Sequence, residues 1–139
     1  MKYISNLYLK RSSDLYEYIG DRNTSKWSDN IQHLLDNHKI IDMSNNDIKL
    51  INNSLGDLIK SNTVYPNIKG PLNSRFGRCW FLNQESENES AWDICVQTFD
   101  DDWFLVNIGS GQGWYNYYFI CDQIDGVLKL IEDNFKNLD

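Results

Sequence analysis

The stretch that decides the fold is YNYYFICDQIDGVLKLIEDNF, residues 115–135. Its first half is rich in aromatic and β-branched residues, which favour strands. In its second half, apolar residues recur at helical spacing: Ile124, Val127, Leu128, Ile131 and Phe135. Asp122, between the two halves, is typical of a helix N-cap. The stretch therefore predicts a strand that turns into a C-terminal helix, with residues 121–123 as a structural corner rather than a chemical site.

The segments before this corner predict further antiparallel strands. Aromatic and β-branched runs at 75–83, 91–99, 103–109 and 114–121 are separated by short polar turns or loops. An additional strand in TVYPNIKG (63–70) belongs at a sheet edge, because Pro66 cannot donate to a ladder. We expect a four- to five-stranded antiparallel sheet over about 62–121, with the C-terminal helix packed on it.

The N-terminal part predicts helices. An apolar stripe predicts one helix over 28–38, and a second over 45–60 is opened by Ser44 and Asp47 in a capping-box arrangement. A short helix is expected in DLYEYIGD (14–21), after the potential cap Ser13. The fold class is then α+β in one domain, 1–139, with 1–61 mainly helical and 62–139 forming the sheet and the C-terminal helix.

Composition narrows the classes of function. The chain has 139 residues, 20 acidic and 13 basic residues and a net charge of −7. Nucleic-acid binding depends on Lys and Arg contacts to phosphates, so this balance disfavours DNA and RNA as partners. It favours a basic protein partner met by electrostatic steering.

The cysteines and the N-terminus bear on the compartment. Cys79, Cys95 and Cys121 form no C-x-x-C pair and have no His at zinc spacing, so we expect three free, buried thiols in a reducing compartment. The start MKYISNLYLKRSS lacks the apolar core of a signal peptide. No window approaches the ~18 apolar residues of a membrane span. These features predict a cytoplasmic protein without membrane contact.

The motifs that could indicate catalysis, a cofactor or a metal are better explained as structural features. The glycines of GSGQG (109–113) precede a predicted strand, whereas a phosphate loop precedes a helix. His33 and His38 are five residues apart and not the four of a helical metal pair. Three consecutive aspartates at 100–102 fit a solvated hairpin tip better than a calcium cage. We therefore expect no enzyme, no cofactor and no metal.

The aromatic surplus indicates protein binding. Trp103 and Phe104 are neighbours on a predicted strand, so their side chains point to opposite faces of the sheet. The C-terminal helix covers one face, and the other is either covered by the N-terminal helices or left as a partner site. The candidate contact residues are aromatic anchors and acidic side chains for steering: Trp103, Trp114, Glu85, Glu87, Glu89, Asp100, Asp101 and Asp102.

One local basic cluster gives an alternative site. Lys69, Arg75 and Arg78 lie among Tyr65, Phe76 and Trp80. Basic residues between aromatic residues can hold single-stranded nucleic acid or a nucleotide. The same pattern also protects an exposed strand edge by charge, and the acidic net charge favours this second interpretation.

The C-terminal third resembles small uncharacterised proteins of large tailed phages. Those proteins share an MKY-type start, a DEW[FY]-V-type strand and a Y-Y-x-C-D-Q-x-D-G-L-L ending. The matching residues here are Asp102, Trp103, Phe104, Val106, Tyr117, Tyr118, Cys121, Asp122, Gln123, Asp125, Gly126 and Leu128. The resemblance implies a phage or mobile-element origin and no known activity. In the outline of a strand running into a final helix, the chain is also similar to bacterial immunity proteins of the SMI1/KNR4 type.

The sequence as a whole predicts a non-enzymatic, acidic protein-binding module. If the phage resemblance holds, it would inhibit or redirect a host protein in the host cytoplasm, in takeover or against defence. One alternative is a virion or assembly component. Another is a small enzyme or nucleotide-binding protein that uses residues 69–78. The partner, the oligomeric state, the source organism and any small ligand stay open at this level.

Overall fold

The fold is taken from a computed structural model, which describes residues 13–20, 29–61, 67–74, 77–83, 90–110 and 116–135. Seven strands and three helices occur in this part of the chain. In chain order they are β1 (Glu17–Gly20), α1 (Asp29–Asn37), β2 (Ile40–Ile41), α2 (Asn45–Ser61), β3 (Asn67–Ser74), β4 (Gly77–Asn83), β5 (Ser90–Phe99), β6 (Phe104–Ser110), β7 (Asn116–Cys121) and α3 (Ile124–Phe135). The α+β class is confirmed.

One antiparallel sheet organises these elements. Its strand order is β1-β7-β6-β5-β4-β3, and β2 pairs with the end of β5. The four strands from β4 to β7 form the predicted meander. β3 lies at the predicted edge position but covers Asn67–Ser74 and not 63–70, and Pro66 lies outside the described residues. The predicted count of four to five strands is too low, because β1 and β2 come from the part of the chain that was expected to be mainly helical.

The helix-covered face of the sheet carries the larger core. Alternation along β5 and β6 directs Trp92, Ile94, Val96, Val106 and Ile108 to this face, where all are buried. Both α2 and α3 pack against it, through stripes that include Ile51 and Leu55 on α2 and Leu130, Ile131 and Phe135 on α3. Helix α2 begins where the capping pattern predicts, with the Asp47 backbone N–H donating to Ser44 Oγ at 3.1 Å.

The second face of the sheet carries a smaller cluster of Ile19, Phe99, Leu105 and Ile120. Leu35 of α1, Trp103 and Tyr118 are partly buried against it. The N-terminal helices therefore differ in which face of the sheet they contact. Helix α1 contributes Leu35 to the second face, whereas α2 packs on the helix-covered face.

The short helix expected at 14–21 is wrong. Residues 17–20 form β1, which pairs with β7 through Glu17↔Ile120 and Tyr18↔Phe119. The pairing explains the error: the edge of β7 offers backbone partners, and tertiary pairing overrides a weak local preference. Tyr18 then packs edge-on against Phe119, with ring centroids 5.4 Å apart.

The expectation of three free thiols is wrong for two of them. Cys79 and Cys95 stand directly opposite each other on β4 and β5 and form a disulfide. Sequence spacing could not show this, because the pairing depends on strand register. Cys121 is free and buried, as expected. Burial raises its pKa to about 12, with a smaller contribution from Asp122, so the thiol is unreactive.

Candidate functional site

A cleft of about 350 Å³ lies at one end of the sheet. It is lined by residues 13–17, Trp103, Ile120 and Asp122. These segments are distant in sequence. They meet because β1 begins, β6 begins and β7 ends at the same end of the sheet, as the pairs Glu17↔Ile120 and Phe104↔Cys121 require.

Hydrogen bonds fix the turn that forms one wall of the cleft. Ser13 Oγ accepts from the Leu15 backbone N–H at 3.0 Å, and the Ser13 N–H donates to the Tyr16 carbonyl at 3.2 Å. The Tyr16 hydroxyl donates to Asp133 of α3 at 2.7 Å, and Lys129 pairs with the same carboxylate at 3.1 Å. Burial raises the pKa of Tyr16, and the Asp133 carboxylate raises it further. The hydroxyl therefore stays protonated and keeps the wall attached to α3.

Gly126 explains how closely this wall approaches α3. A Cβ at this position would collide with the Leu15 carbonyl and the Cys121 side chain. The glycine inside the helix, unfavourable on propensity alone, therefore allows close packing of the cleft wall on α3.

The second wall is the indole of Trp103. The hairpin tip before it is closed by the Phe99 N–H donating to the Trp103 carbonyl at 2.8 Å and by Asp102, whose φ is +67°. A left-handed backbone is tolerated by Asp better than by most residues. Trp103 is half-buried; it packs against the cluster on the second face and also lines the cleft.

Three acidic residues line the cleft together with Trp103. Asp14, Glu17 and Asp122 are exposed, and the residues described as lining the cleft include no Lys, Arg or His. The start of α3 lies beside Asp122 and carries a partial positive charge of about half a unit, which three formal negative charges outweigh. The cleft therefore combines an aromatic wall with a negative rim.

Only some of the site residues predicted from the sequence lie at or near the cleft. Trp103 lies in the cleft, and Asp100, Asp101 and Asp102 form the exposed hairpin tip that precedes it. Trp114, Glu85, Glu87, Glu89 and Arg75 lie outside the described residues. Asp122, assigned as a helix cap, is two residues before the start of α3, and its exposed side chain lines the cleft.

An imidazole faces the hairpin tip. His38 follows the end of α1, and its Nδ1 lies 3.4 Å from Asp100 Oδ1 and 3.2 Å from Asp101 Oδ2. The β2–β5 pairing and a hydrogen bond from the Asp100 N–H to the Lys39 carbonyl, 2.9 Å, bring the two segments together. The three side chains supply ligand atoms within 4.8 Å of one another, fewer than the four ligands of a structural zinc site. The contacts are those of a surface ion pair.

The predicted basic cluster is divided between the two faces. Lys69 pairs with Phe81 and is exposed, whereas Arg78 pairs with Val96 and is half-buried. Because Phe81 and Arg78 are an odd number of residues apart on β4, Lys69 and Arg78 point to opposite faces. The described residues of this cluster therefore do not converge on one ligand.

Asp93 is the one carboxyl group with a strongly raised pKa among the described residues. Burial on the second face raises it to about 6, and a hydrogen bond from the Gly109 N–H opposes part of this effect. Asp93 is directly opposite Gly109, where a Cβ would lie 2.8 Å from the carboxylate. A larger residue at this position would therefore require the Asp93 carboxylate to shift.

Comparisons with protein-family models, curated proteins and solved structures give no match to this chain. Among the described residues, no helix is both long enough and apolar enough to cross a lipid bilayer. The cleft is therefore interpreted from its own residues.

Proposed function

We propose that this protein is a non-enzymatic, acidic module that binds a basic partner protein at the cleft end of its sheet. The observation that carries the proposal is the position of Trp103, half-buried in a cleft whose described rim consists of Asp14, Glu17 and Asp122. Trp is enriched among residues that dominate binding energy, and a rim charge accelerates encounter with an oppositely charged surface.

The hairpin tip extends the same negative surface. Asp100, Asp101 and Asp102 are exposed and directly precede Trp103 in the chain. Together with the cleft carboxylates, these side chains would steer a basic surface onto Trp103. Salt would weaken this attraction, because exposed charges are largely screened beyond a Debye length, which is about 8 Å at physiological ionic strength.

The phage resemblance extends this proposal to a biological role. A phage or mobile-element accessory protein of this kind would inhibit or redirect a host protein in the host cytoplasm. Disulfides are rare in the cytosol, so this part of the proposal requires Cys79 and Cys95 to be reduced there, or the pair to form elsewhere.

The test is capture of a partner from a host-cell lysate at low and at high salt, followed by titration of the purified partner. We expect one basic protein that binds at low salt and is released as salt rises. The variant Asp14→Asn/Glu17→Gln/Asp122→Asn should weaken its binding at least about tenfold, since each rim charge contributes to steering and attraction.

The control removes equal charge elsewhere. Asp42→Asn/Asp57→Asn/Glu132→Gln changes three exposed carboxylates that do not line the cleft. It should leave the affinity within about twofold of wild type, because distant surface charges are screened. Equal losses in the two variants, or no loss in the cleft variant, would rule out the cleft as the contact.

A further inference from the structure

We infer that the cleft receives one cationic side chain of the partner, a lysine or an arginine, with its charged group between the Trp103 indole and the three rim carboxylates. The inference rests on the proposed function and specifies what enters the cleft. It concerns one side chain and leaves the rest of the interface open.

Size limits the occupant. A volume of about 350 Å³ is at the lower end of ligand pockets, which span about 300–1,000 Å³. The walls come from a single turn, one indole and the end of one strand. A cleft of this size suits one long side chain and is too small for a helix face or a dinucleotide.

The arrangement of apolar and charged groups in the cleft favours a side chain that itself has an apolar part and a charged part. Ile120, which is 8% exposed, and the indole of Trp103 provide apolar contact, whereas Asp14, Glu17 and Asp122 provide the charged rim. Lys and Arg have this same division, with an aliphatic stem and a charged head. A cation near the face of an indole also gains from the ring quadrupole, and Trp is the best of the aromatic residues for this contact.

The same features disfavour an anion. A phosphate or carboxylate ligand would need Arg, Lys or backbone N–H donors directed at it. The described lining supplies three carboxylates, and the described Ser13 N–H and Leu15 N–H are already engaged within the turn. The charge of the cleft is therefore complementary to an ammonium or a guanidinium group.

The experiment titrates the whole protein with model side chains and follows the indole N–H signals by ¹H–¹⁵N NMR. The probes are N-acetyl-arginine amide and N-acetyl-lysine amide. The matched neutral probes are the citrulline amide, which keeps the length of arginine and loses its charge, and the norleucine amide, which keeps the apolar stem of lysine and lacks its ammonium group. The Trp103 signal is assigned from its loss in Trp103→Phe.

We expect the Trp103 signal to shift with millimolar affinity for at least one cationic probe and about tenfold more weakly for its neutral counterpart. Response to arginine alone would identify a guanidinium as the natural occupant, and response to lysine alone an ammonium. Trp103→Phe, which lacks this indole signal and is followed through the backbone N–H signals of Asp14 and Glu17, should weaken binding about threefold, as expected for an exposed cation–π contact. The Asp14→Asn/Glu17→Gln/Asp122→Asn variant should weaken it further.

Equal shifts with charged and neutral probes, or no shift of Trp103 up to the solubility of the probes, would overturn the inference. A different result would contradict the proposed function. If the probes do not bind but the rim variant still loses the captured partner, the cleft end is a protein-binding surface without a side-chain receptor. If the rim variant also keeps the partner, both proposals fail.

Discussion

The two faces of the sheet differ in how completely they bury their side chains. The helix-covered face buries a continuous set of large apolar side chains, with Trp80, Phe119 and Phe135 at most 1% exposed. Among the described residues, the second face has a buried cluster of four, and half-buried Trp103 and Asp93 lie on the same face. Among the described residues, the helix-covered face therefore supplies most of the hydrophobic stabilisation, and the second face leaves Trp103 and Asp93 partly accessible.

The proposed function is placed on the second face because of this difference. The side chains in the buried cluster of the helix-covered face are apolar, because an unpaired charge buried among them would be costly. The comparison can be tested by substitutions on each face.

The largest effect is expected on the helix-covered face. Phe119 is fully buried and contacts both Tyr16 and Tyr18 edge-on. Phe119→Ala should lower the free energy of unfolding by about 3–5 kcal/mol, through lost burial and a residual cavity. Denaturant titration measures this. A loss below about 1 kcal/mol would show that the helix-covered face is not the main source of stability.

Replacing each of two helical glycines by alanine should change the free energy of unfolding in opposite directions. Gly126→Ala should destabilise by about 1–3 kcal/mol, because the new methyl group collides with the Leu15 carbonyl and Cys121. Gly56→Ala, on α2 with no atom within 4 Å of the new Cβ, should stabilise by about 0.5–1 kcal/mol through helix propensity.

Thermal melts of both variants under one set of conditions compare them directly. The Gly126 substitution should also disturb the cleft wall, and so shift the Trp103 indole N–H signal, whereas the Gly56 substitution should leave it in place. Stabilisation by both alanines would mean that residues 13–17 do not pack on α3 as described.

The smallest effect concerns Asp93 on the second face. Its pKa is raised from 3.8 to about 6 in the folded state, so the folded protein binds this proton more tightly than the unfolded chain does. The resulting stabilisation is fully present below the unfolded value and is lost as pH rises through about 6. Asp93→Asn should remove this pH dependence and add on the order of 1 kcal/mol at pH 8, after allowance for solvent screening.

Denaturant titrations from pH 4 to pH 8 compare Asp93→Asn with wild type. Asp42→Asn, a change at an exposed carboxylate, is the control and should keep the wild-type pH slope. An Asp93→Asn curve parallel to wild type across this range would show that Asp93 is not held in a desolvated position.

Much of the fold follows from local patterns in the sequence. The stripes of α2 and α3, the Ser44 cap and the β4–β7 meander each depend on neighbouring residues, and each was predicted. The strand β1 was not, because its pairing with β7 joins residues about a hundred positions apart, and local propensity in DLYEYIGD favoured a helix. Register likewise decides the Cys79–Cys95 pairing, which spacing alone does not reveal.

The sequence predicts only part of the lining of the candidate cleft, and its role in binding stays a proposal. Trp103 was identified from the aromatic surplus and from its position on a strand. Asp14, Glu17 and Asp122 were missed as a group, because Asp14 and Asp122 were interpreted as helix-start residues and Glu17 as part of a helix. Their convergence with Trp103 depends on three strand ends meeting at one end of the sheet, and no spacing in the sequence encodes that.

The most direct test measures stability and binding together in Trp103→Ala. The account predicts a loss in unfolding free energy of about 1–2 kcal/mol, well below that of Phe119→Ala, together with a loss of affinity for the captured basic partner of about tenfold or more. The contrary result is a variant that loses as much stability as Phe119→Ala and, under conditions where it is folded, binds the partner as wild type does. Trp103 would then be a core residue, and the cleft would not be the binding site.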